Sequence, residues 1–405
     1  MVRVTSPGRR RESEVAHVRP LLTVFLGWLW VMAGVNLAAP LYAVYAGRFG
    51  FDGIVLTTVF AVYAVTLVAT LLLCGRVADR FGRRPVILAG MLVACVALVV
   101  FAVAQSTGWL YAARALQGVA VGLISGPATA ALVEIDPERE ARRPAMLAGV
   151  AQAAGSGLGP VISGCLAQWA PEPLHLSYLL GLVGTVGAAG FICALPERAH
   201  GEEPWRIQWP RVGEEIRADF LRVGLTAGLV WGSLALYLSV VPSYVAELLS
   251  TGNLAVLGAN SALACLASAT TQVWARRRRS QVHRSQTIGL RVLATGLVLL
   301  IVSSLTHSLV TVLLGAVLTG VGHGQAFLHA QDEVNGIVPG NRRAEVTAAF
   351  VCCIYVLVGG SAIAIGLLEE LSGLTTGVCI VGGVLTIGSL VTAGWQSARG
   401  RQLAS

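Results

Sequence analysis

Residues 53–104 read GIVLTTVFAVYAVTLVATLLLC GRVADRFGRR PVILAGMLVACVALVVFAVA, so that a short basic link joins two long apolar runs. A helix needs roughly 20 apolar residues to cross the hydrocarbon core of a bilayer. Only helices and closed barrels satisfy their backbone hydrogen bonds in lipid, and these runs are too long and too evenly apolar for barrel strands. The stretch therefore predicts two transmembrane helices with a polar connection between them.

The same pattern recurs along the chain and predicts an all-α membrane protein with twelve transmembrane helices. The predicted spans lie near 20–46, 52–75, 85–105, 107–134, 144–169, 175–195, 219–248, 253–275, 286–306, 308–333, 343–369 and 373–395. The longest hydrophilic link, residues 196–218, divides the chain in the middle. We expect it to be a central cytoplasmic loop between an N-terminal six-helix bundle (1–195) and a C-terminal six-helix bundle (219–405).

The composition excludes several classes of protein. Of the 405 residues, 55% are hydrophobic and only 12% are charged, whereas a soluble domain carries about 25% charged residues. A water-soluble enzyme, a disordered chain and a nucleic-acid-binding protein are therefore excluded. The eight cysteines lie inside apolar runs without the spacing of metal ligands or of a disulfide framework, so we expect no metal site.

The arginines predict the orientation in the membrane. All 29 basic residues are arginine. With the N-terminus in the cytoplasm, every arginine except Arg48 and Arg114 falls on the cytoplasmic side, as the positive-inside rule requires. We therefore expect a multi-pass protein of a bacterial cytoplasmic membrane with both termini in the cytoplasm. This topology accounts for the net charge of +8 without a polyanionic partner.

The two halves of the chain resemble each other. Several residues of the first half recur 202 positions later: Pro40 and Pro242, Tyr42 and Tyr244, Gly118 and Gly320, Gly122 and Gly324, Pro137 and Pro339, Gly157 and Gly359, and Gly164 and Gly366. An even number of predicted spans separates the matched positions. The repeat is therefore parallel, as between the two halves of one large class of transporters.

The link after the second span resembles the G-x-x-x-D-R-x-G-R-[KR] signature of the major facilitator superfamily. The residues of this candidate gate are Gly75, Asp79, Arg80, Gly82, Arg83 and Arg84. The resemblance implies two bundles that rock about a central site, with this loop locking one conformation through ion pairs. The alternative, that the arginines serve only topology, leaves the acid and the glycines without an explanation.

Two further elements are similar to motifs of that family. Arg114 and Gln117 match its R-x-x-Q-G element, which implies a role beside the proton or substrate path; alternatively, Arg114 snorkels to the outer membrane surface. The fifth span resembles the G-x-x-x-G-P-x-x-G-G motif of antiporters, which implies exchange of the cargo against protons. Its matching residues are Gly155, Gly159, Pro160 and Gly164. Generic close packing of small residues is the alternative for this span.

The candidates for the proton-carrying group come from the tenth span. The first span contains no acid, only Asn36. In the tenth span, His323 is nearest to the midplane, and His329 lies three and four residues before Asp332 and Glu333. Histidine titrates near physiological pH, so these four residues are the coupling candidates. A packing histidine and solvated charges at a helix end are the alternatives.

Aromatic and polar side chains are candidates for the lining of a substrate cavity. They are Trp28, Met32, Asn36, Tyr63, Trp231 and Tyr237. Some of the aromatic residues could instead form an interfacial belt.

Together these features predict a transporter rather than an enzyme, with no catalytic residues and no cofactor. The first hypothesis is a proton-coupled exporter of a small amphipathic compound, such as a drug or natural product, driven by the proton gradient. The second is a proton symporter or facilitator that takes up a small metabolite. The expected partners are the cargo, protons and membrane lipid, with no nucleic acid, and we expect a functional monomer.

Overall fold

The computed structural model describes residues 7–74, 77–135, 142–196, 211–277, 282–337 and 343–402. The regular elements are helices, with no strand in these ranges. They are α1 (Pro7–Asn36), α2 (Ala38–Phe49), α3 (Gly53–Cys74), α4 (Val77–Phe81), α5 (Arg83–Ala102), α6 (Thr107–Ile135), α7 (Arg142–Trp169), α8 (Pro173–Cys193), α9 (Arg217–Ser239), α10 (Val241–Leu248), α11 (Leu254–Arg277), α12 (Val282–Thr306), α13 (Leu309–Ile337), α14 (Arg343–Ser372) and α15 (Leu374–Gln402). Of the candidate gate, Gly75 lies outside the described residues.

The described helices contain twelve segments that are long and apolar enough to cross a membrane. The prediction of an all-α, twelve-span fold is therefore confirmed. Because the number of spans is even, both ends of the chain lie on the same side of the bundle. We call this side the termini end and the opposite side the far end.

The first and seventh predicted spans are each broken near the far end. The break falls at Leu37, between α1 and α2, and at Val240, between α9 and α10. Pro40 and Pro242 follow these breaks within three residues. Proline has no N–H to donate to the carbonyl four residues earlier, and its ring crowds that carbonyl. The two breaks lie within one residue of equivalent positions of the sequence repeat.

The hydrophobic core is divided into two parts. Two clusters of buried side chains come from α1–α8, which we call the N-bundle. A third comes from α9–α15, the C-bundle. In the N-bundle, Gly118 brings α6 against α3, where a Cβ would lie 2.5 Å from the Tyr63 carbonyl oxygen. In the C-bundle, Gly320 brings α13 against α11, where a Cβ would lie 2.8 Å from the Ala267 methyl group.

Two helix pairs form most of the contact between the described parts of the bundles. Towards the far end, α7 crosses α11 closely: the backbone N–H of Leu254 donates to the side-chain oxygen of Gln168 at 3.0 Å. On the other side, α3 packs against α14, and the rings of Tyr63 and Tyr355 meet with their centroids 6.2 Å apart. At these two places the described residues meet through a hydrogen bond and through aromatic rings.

Candidate functional site

A fully buried arginine occupies the interior of the N-bundle. Arg114 of α6 is 1% exposed. Its Nε donates to the Tyr42 hydroxyl at 2.6 Å, and its Nη1 donates to the carbonyl of Val35 at 3.2 Å and to Oε1 of Gln117 at 2.9 Å. Burial on this scale excludes the alternative that Arg114 snorkels to the membrane surface. A charge inside a span costs about 2.5–3.5 kcal/mol on insertion scales, and such charges normally serve function.

Aromatic rings enclose the Arg114 guanidinium. Its central carbon lies 4.5 Å from the ring centroid of Phe60 and 5.8 Å from that of Tyr63. The rings of Tyr42 and Phe101 lie at 5.3 and 5.9 Å. Ring faces attract a desolvated cation, and they offset part of the cost of burial without neutralising the charge.

The C-bundle holds a buried histidine in the equivalent helix, α13. His323 is 0% exposed, and its Nδ1 lies 2.7 Å from Oγ of Ser268 on α11. Its ring makes an edge contact with Trp231 of α9, at a centroid distance of 4.8 Å. Its Nε2 has no hydrogen-bond partner among the described residues. An imidazole anchored through one nitrogen can take up a proton on the other once that nitrogen becomes accessible.

The other coupling candidates have fixed partners near the termini end. Nδ1 of His329 lies 2.8 Å from the carbonyl oxygen of Gln325, within its own helix. The Asp332 carboxylate lies 3.7 Å from Arg276. The three side chains lie on adjacent turns of α13 but have different partners, so they do not form one group: His329, Asp332 and Glu333.

Glu333 belongs to a buried ionic network that our reading of the sequence missed. Its carboxylate pairs with Arg222 of α9, which is 1% exposed, and Arg222 also donates to Asp219 at 3.0 Å. Gln286 of α12 donates to Glu333 at 2.6 Å, and Arg222 donates to Gln396 of α15. The network ties four helices together at the termini end. Its only signal in the sequence was the i, i+3 spacing of Asp219 and Arg222.

The predicted cavity residues fall into different surroundings. Trp28 and Met32 lie in the hydrophobic core of the N-bundle, and Tyr237 lies in that of the C-bundle. The Asn36 amide, at the break after α1, donates to the Ser156 hydroxyl of α7 at 3.2 Å. The structure therefore places Tyr63 beside Arg114 and Trp231 beside His323, and it packs Trp28 and Met32 within the core.

The candidate gate holds the termini end of the N-bundle together. Gly82 joins α4 to α5 with a φ of 102°, which an L-residue with a side chain rarely adopts. Arg83 pairs with Glu134 of α6 at 2.6 Å, and Arg84 donates to the carbonyl of Leu195, just after α8, at 2.8 Å. Asp79 is exposed, as is Arg80, whose guanidinium lies 5.4 Å from the Phe81 ring centroid.

The antiporter-like motif brings α7 close to two neighbours. A Cβ on Gly155 would lie 2.8 Å from Cβ of Met32, and Gly159 faces the Ala33 carbonyl, both on α1. A Cβ on Gly164 would lie 2.6 Å from the carbonyl oxygen of Leu254, across the boundary between the bundles. Pro160 lies inside α7, and its carbonyl faces Gly258 of α11. The motif therefore serves close packing both within the N-bundle and between the bundles.

Comparisons with known proteins agree with this architecture. An uncharacterised MFS-type transporter of Mycobacterium tuberculosis is 31% identical over 189 residues, which cover 45% of this chain and 31% of that protein. The quinolone resistance protein NorA of Staphylococcus aureus is 22% identical over 169 residues, which cover 42% of this chain and 44% of NorA. The matched part spans less than half the length of either relative.

Two solved structures share the fold. The human organic anion transporter MFSD10 superposes with a TM-score of 0.68 at 20% identity, covering 93% of this chain and 99% of that one. A mutant of the nucleoside transporter NupG gives a TM-score of 0.71 at 14% identity, covering 94% and 99%. Residues 24–364 match the family described as Major Facilitator Superfamily. The chain therefore belongs to the Major Facilitator Superfamily, whose members are membrane transporters rather than enzymes.

Proposed function

We propose that the protein exports a small amphipathic compound in exchange for protons, by rocking its two bundles about a shared site. In this proposal the termini end faces the cytoplasm. The observation that carries it is the pair of fully buried polar centres, Arg114 in α6 and His323 in α13. They occupy equivalent helices of opposite bundles, in surroundings that are otherwise apolar and aromatic. A cargo with an apolar body and a polar group fits such a site.

Export by exchange has two supports. The glycine and proline pattern of α7 resembles the antiporter motif, and it forms a close crossing with α11 across the boundary between the bundles. The name of NorA describes it as a quinolone resistance protein, which suits the expulsion of an amphipathic drug. We propose the same class of cargo for this chain.

Uptake by proton symport or facilitated diffusion is the second candidate function. One observation favours it: residues 19–49 of α1 and α2 contain no acidic residue, and Asn36 is instead held by the Met32 carbonyl and Ser156. The names of the two structural neighbours, an organic anion transporter and a nucleoside transporter, show that the fold serves other cargo as well.

Flux in proteoliposomes discriminates between the two candidates. A fluoroquinolone is the first probe, with a pH gradient imposed in either direction and the movement of protons followed by a trapped pH dye. Exchange predicts that drug and protons move in opposite directions. Movement in the same direction would establish symport, and drug flux that ignores the pH gradient would establish a facilitator.

A further inference from the structure

The interior of the N-bundle carries a positive charge without a compensating acid. From residue 53 to residue 133 the only acidic residue is Asp79, which is exposed on α4. The other acids of the described N-bundle are found at helix ends: Glu12 and Glu14 near the beginning of α1, Asp52 before α3, Glu134 in the last turn of α6 and Glu172 before α8. No carboxylate of these helices is therefore placed to neutralise Arg114.

Among the described residues, the other fully buried arginine shows the contrast. Arg222 in the C-bundle contacts two carboxylates, those of Asp219 and Glu333. Arg114 instead contacts a hydroxyl, a carbonyl and an amide oxygen, all of which are neutral. The same chain thus neutralises one buried guanidinium and leaves the other charged.

Two donors at Arg114 also lack acceptors. Nη2 of Arg114 and Nε2 of Gln117 are both buried and have no hydrogen-bond partner among the described residues. The two side chains are held together, because Nη1 of Arg114 donates to Oε1 of Gln117 at 2.9 Å. A planar anion with two oxygens accepts hydrogen bonds from adjacent N–H groups of this kind, and such charge-assisted bonds are the strong ones.

The position of this pair gives a route for a ligand. The Tyr63 ring lies 5.8 Å from the guanidinium carbon on one side and 6.2 Å from the Tyr355 ring of the C-bundle on the other. A single aromatic side chain thus reaches from Arg114 to the boundary between the bundles. A separation of α3 from α14 would remove the Tyr355 contact from Tyr63 and expose this side of the ring to the boundary.

We infer that the cargo carries an anionic group, a carboxylate or an anion of similar size, which binds to the free N–H groups of Arg114 and Gln117. The surrounding rings select an aromatic or other apolar body attached to the anion. This inference rests on the proposed transport function only in assigning the anion to the cargo. Binding of the anion itself requires neither export nor proton coupling.

Calorimetric titration of the purified protein in nanodiscs tests the inference. The probes are benzoate, 1-naphthoate, their neutral amides and sodium chloride. The wild-type protein is expected to bind a carboxylate roughly 10- to 100-fold more tightly than its amide, because bonds to charged groups are that much stronger than neutral ones. Chloride alone is expected to bind more weakly than 1-naphthoate, because it offers the rings no apolar surface.

Variants locate the site. Arg114→Gln is expected to abolish the preference for the carboxylate, Arg114→Lys to restore part of it, and Gln117→Leu to reduce it, since lysine lacks the planar fork of arginine. Arg291→Gln, at an exposed arginine of α12, is the matched control and is expected to keep the wild-type preference. Even if a variant does not fold, the affinities of the wild-type protein for carboxylate and amide still test the inference.

Several results would overturn the inference. They are equal binding of carboxylate and amide, binding of none of the carboxylates, or a preference that survives Arg114→Gln. Binding of chloride as tight as that of 1-naphthoate would assign the site to an inorganic anion and not to the cargo. Anion binding without proton-coupled flux would contradict the proposed export function but support the anion site. Proton-coupled drug flux without a preference for the carboxylate would support the export function but contradict the anion site.

Discussion

Substitution of Gly164 by alanine places a methyl group into the crossing of α7 and α11. The added Cβ would lie 2.6 Å from the Leu254 carbonyl oxygen and 3.3 Å from Cα of Gly258. A carbon and a carbonyl oxygen need about 3.3 Å, so the two helices must separate by about 0.7 Å at this point. The bundles meet here, and the clash therefore acts only while they are closed at the far end.

The expected size of the effect follows from packing. Overfilling a well-packed contact costs about 1–3 kcal/mol. Alanine also favours the helix by about 1 kcal/mol over glycine, but this gain applies to every conformation. Gly164→Ala is therefore expected to shift the population away from the closed far end by roughly 5- to 150-fold. The free energy of unfolding of the separated bundles should rise by up to about 1 kcal/mol, from the helix preference alone.

Pulsed electron resonance measures this shift as a distance. Spin labels at Glu172 in the N-bundle and Gly252 in the C-bundle, both exposed at the far end, report the gap in a background whose native cysteines are replaced. Gly164→Ala is expected to increase the fraction of long distances. Gly187→Ala, at a glycine of α8 with nothing within 4 Å of the added Cβ, is the control and should leave the distribution unchanged. Identical distributions for Gly164→Ala and the wild type would refute the reasoning.

Three further substitutions test the polar groups. Glu333→Gln leaves Arg222 with a single acidic partner and is expected to reduce the free energy of unfolding by about 3 kcal/mol, measured by denaturation in detergent. An unchanged free energy of unfolding would show that the network does not stabilise the fold. His323→Ala is expected to abolish the pH dependence of transport. The control His175→Gln, at an exposed histidine of α8, is expected to preserve it. Matching pH profiles for the two variants would reject His323 as the coupling residue. Asp79→Asn is expected to lower flux without lowering the unfolding temperature, and full flux would show that the gate motif does not need its acid.

The number and type of the helices could be predicted because hydropathy is a property of each segment by itself. The second span was expected at 52–75, and α3 runs over Gly53–Cys74. The tenth span was expected to end at residue 333, but α13 continues to Ile337. The added turn includes Asn335 and Gly336, which are exposed and lower the hydropathy, although the backbone stays helical.

The breaks in the first and seventh spans show the limit of a hydropathy window. Both spans were predicted as continuous, since their apolar character does not change at Leu37 or Val240. Pro40 and Pro242 were visible as a repeated pair, and the rule that proline disrupts the preceding turn predicts breaks at both places. The repeated prolines therefore indicate both the common architecture of the two halves and the position of these breaks.

The surroundings of the buried charges could not be predicted. Arg114 was singled out from its motif, but the rings around it come from α2, α3 and α5. Arg222 was counted among the arginines that set topology, because its partner Glu333 is 111 residues away in sequence. Periodicity and local spacing describe one helix at a time, and these contacts depend on how helices are arranged in the bundle.

The proposed transport mechanism requires that the two bundles open alternately at the two ends of the molecule. A second label pair, at Val133 of α6 and Arg277 of α11, both exposed at the termini end, complements Glu172 and Gly252 at the far end. Distances for both pairs, measured at about pH 5.5 and about pH 8 on either side of the usual histidine pKa, test the claim without knowledge of the cargo. Alternating access predicts two populations for each pair, with the far-end distance shortening as the termini-end distance lengthens. A single unchanged distance at both ends, or two distances that change in the same direction, would contradict it.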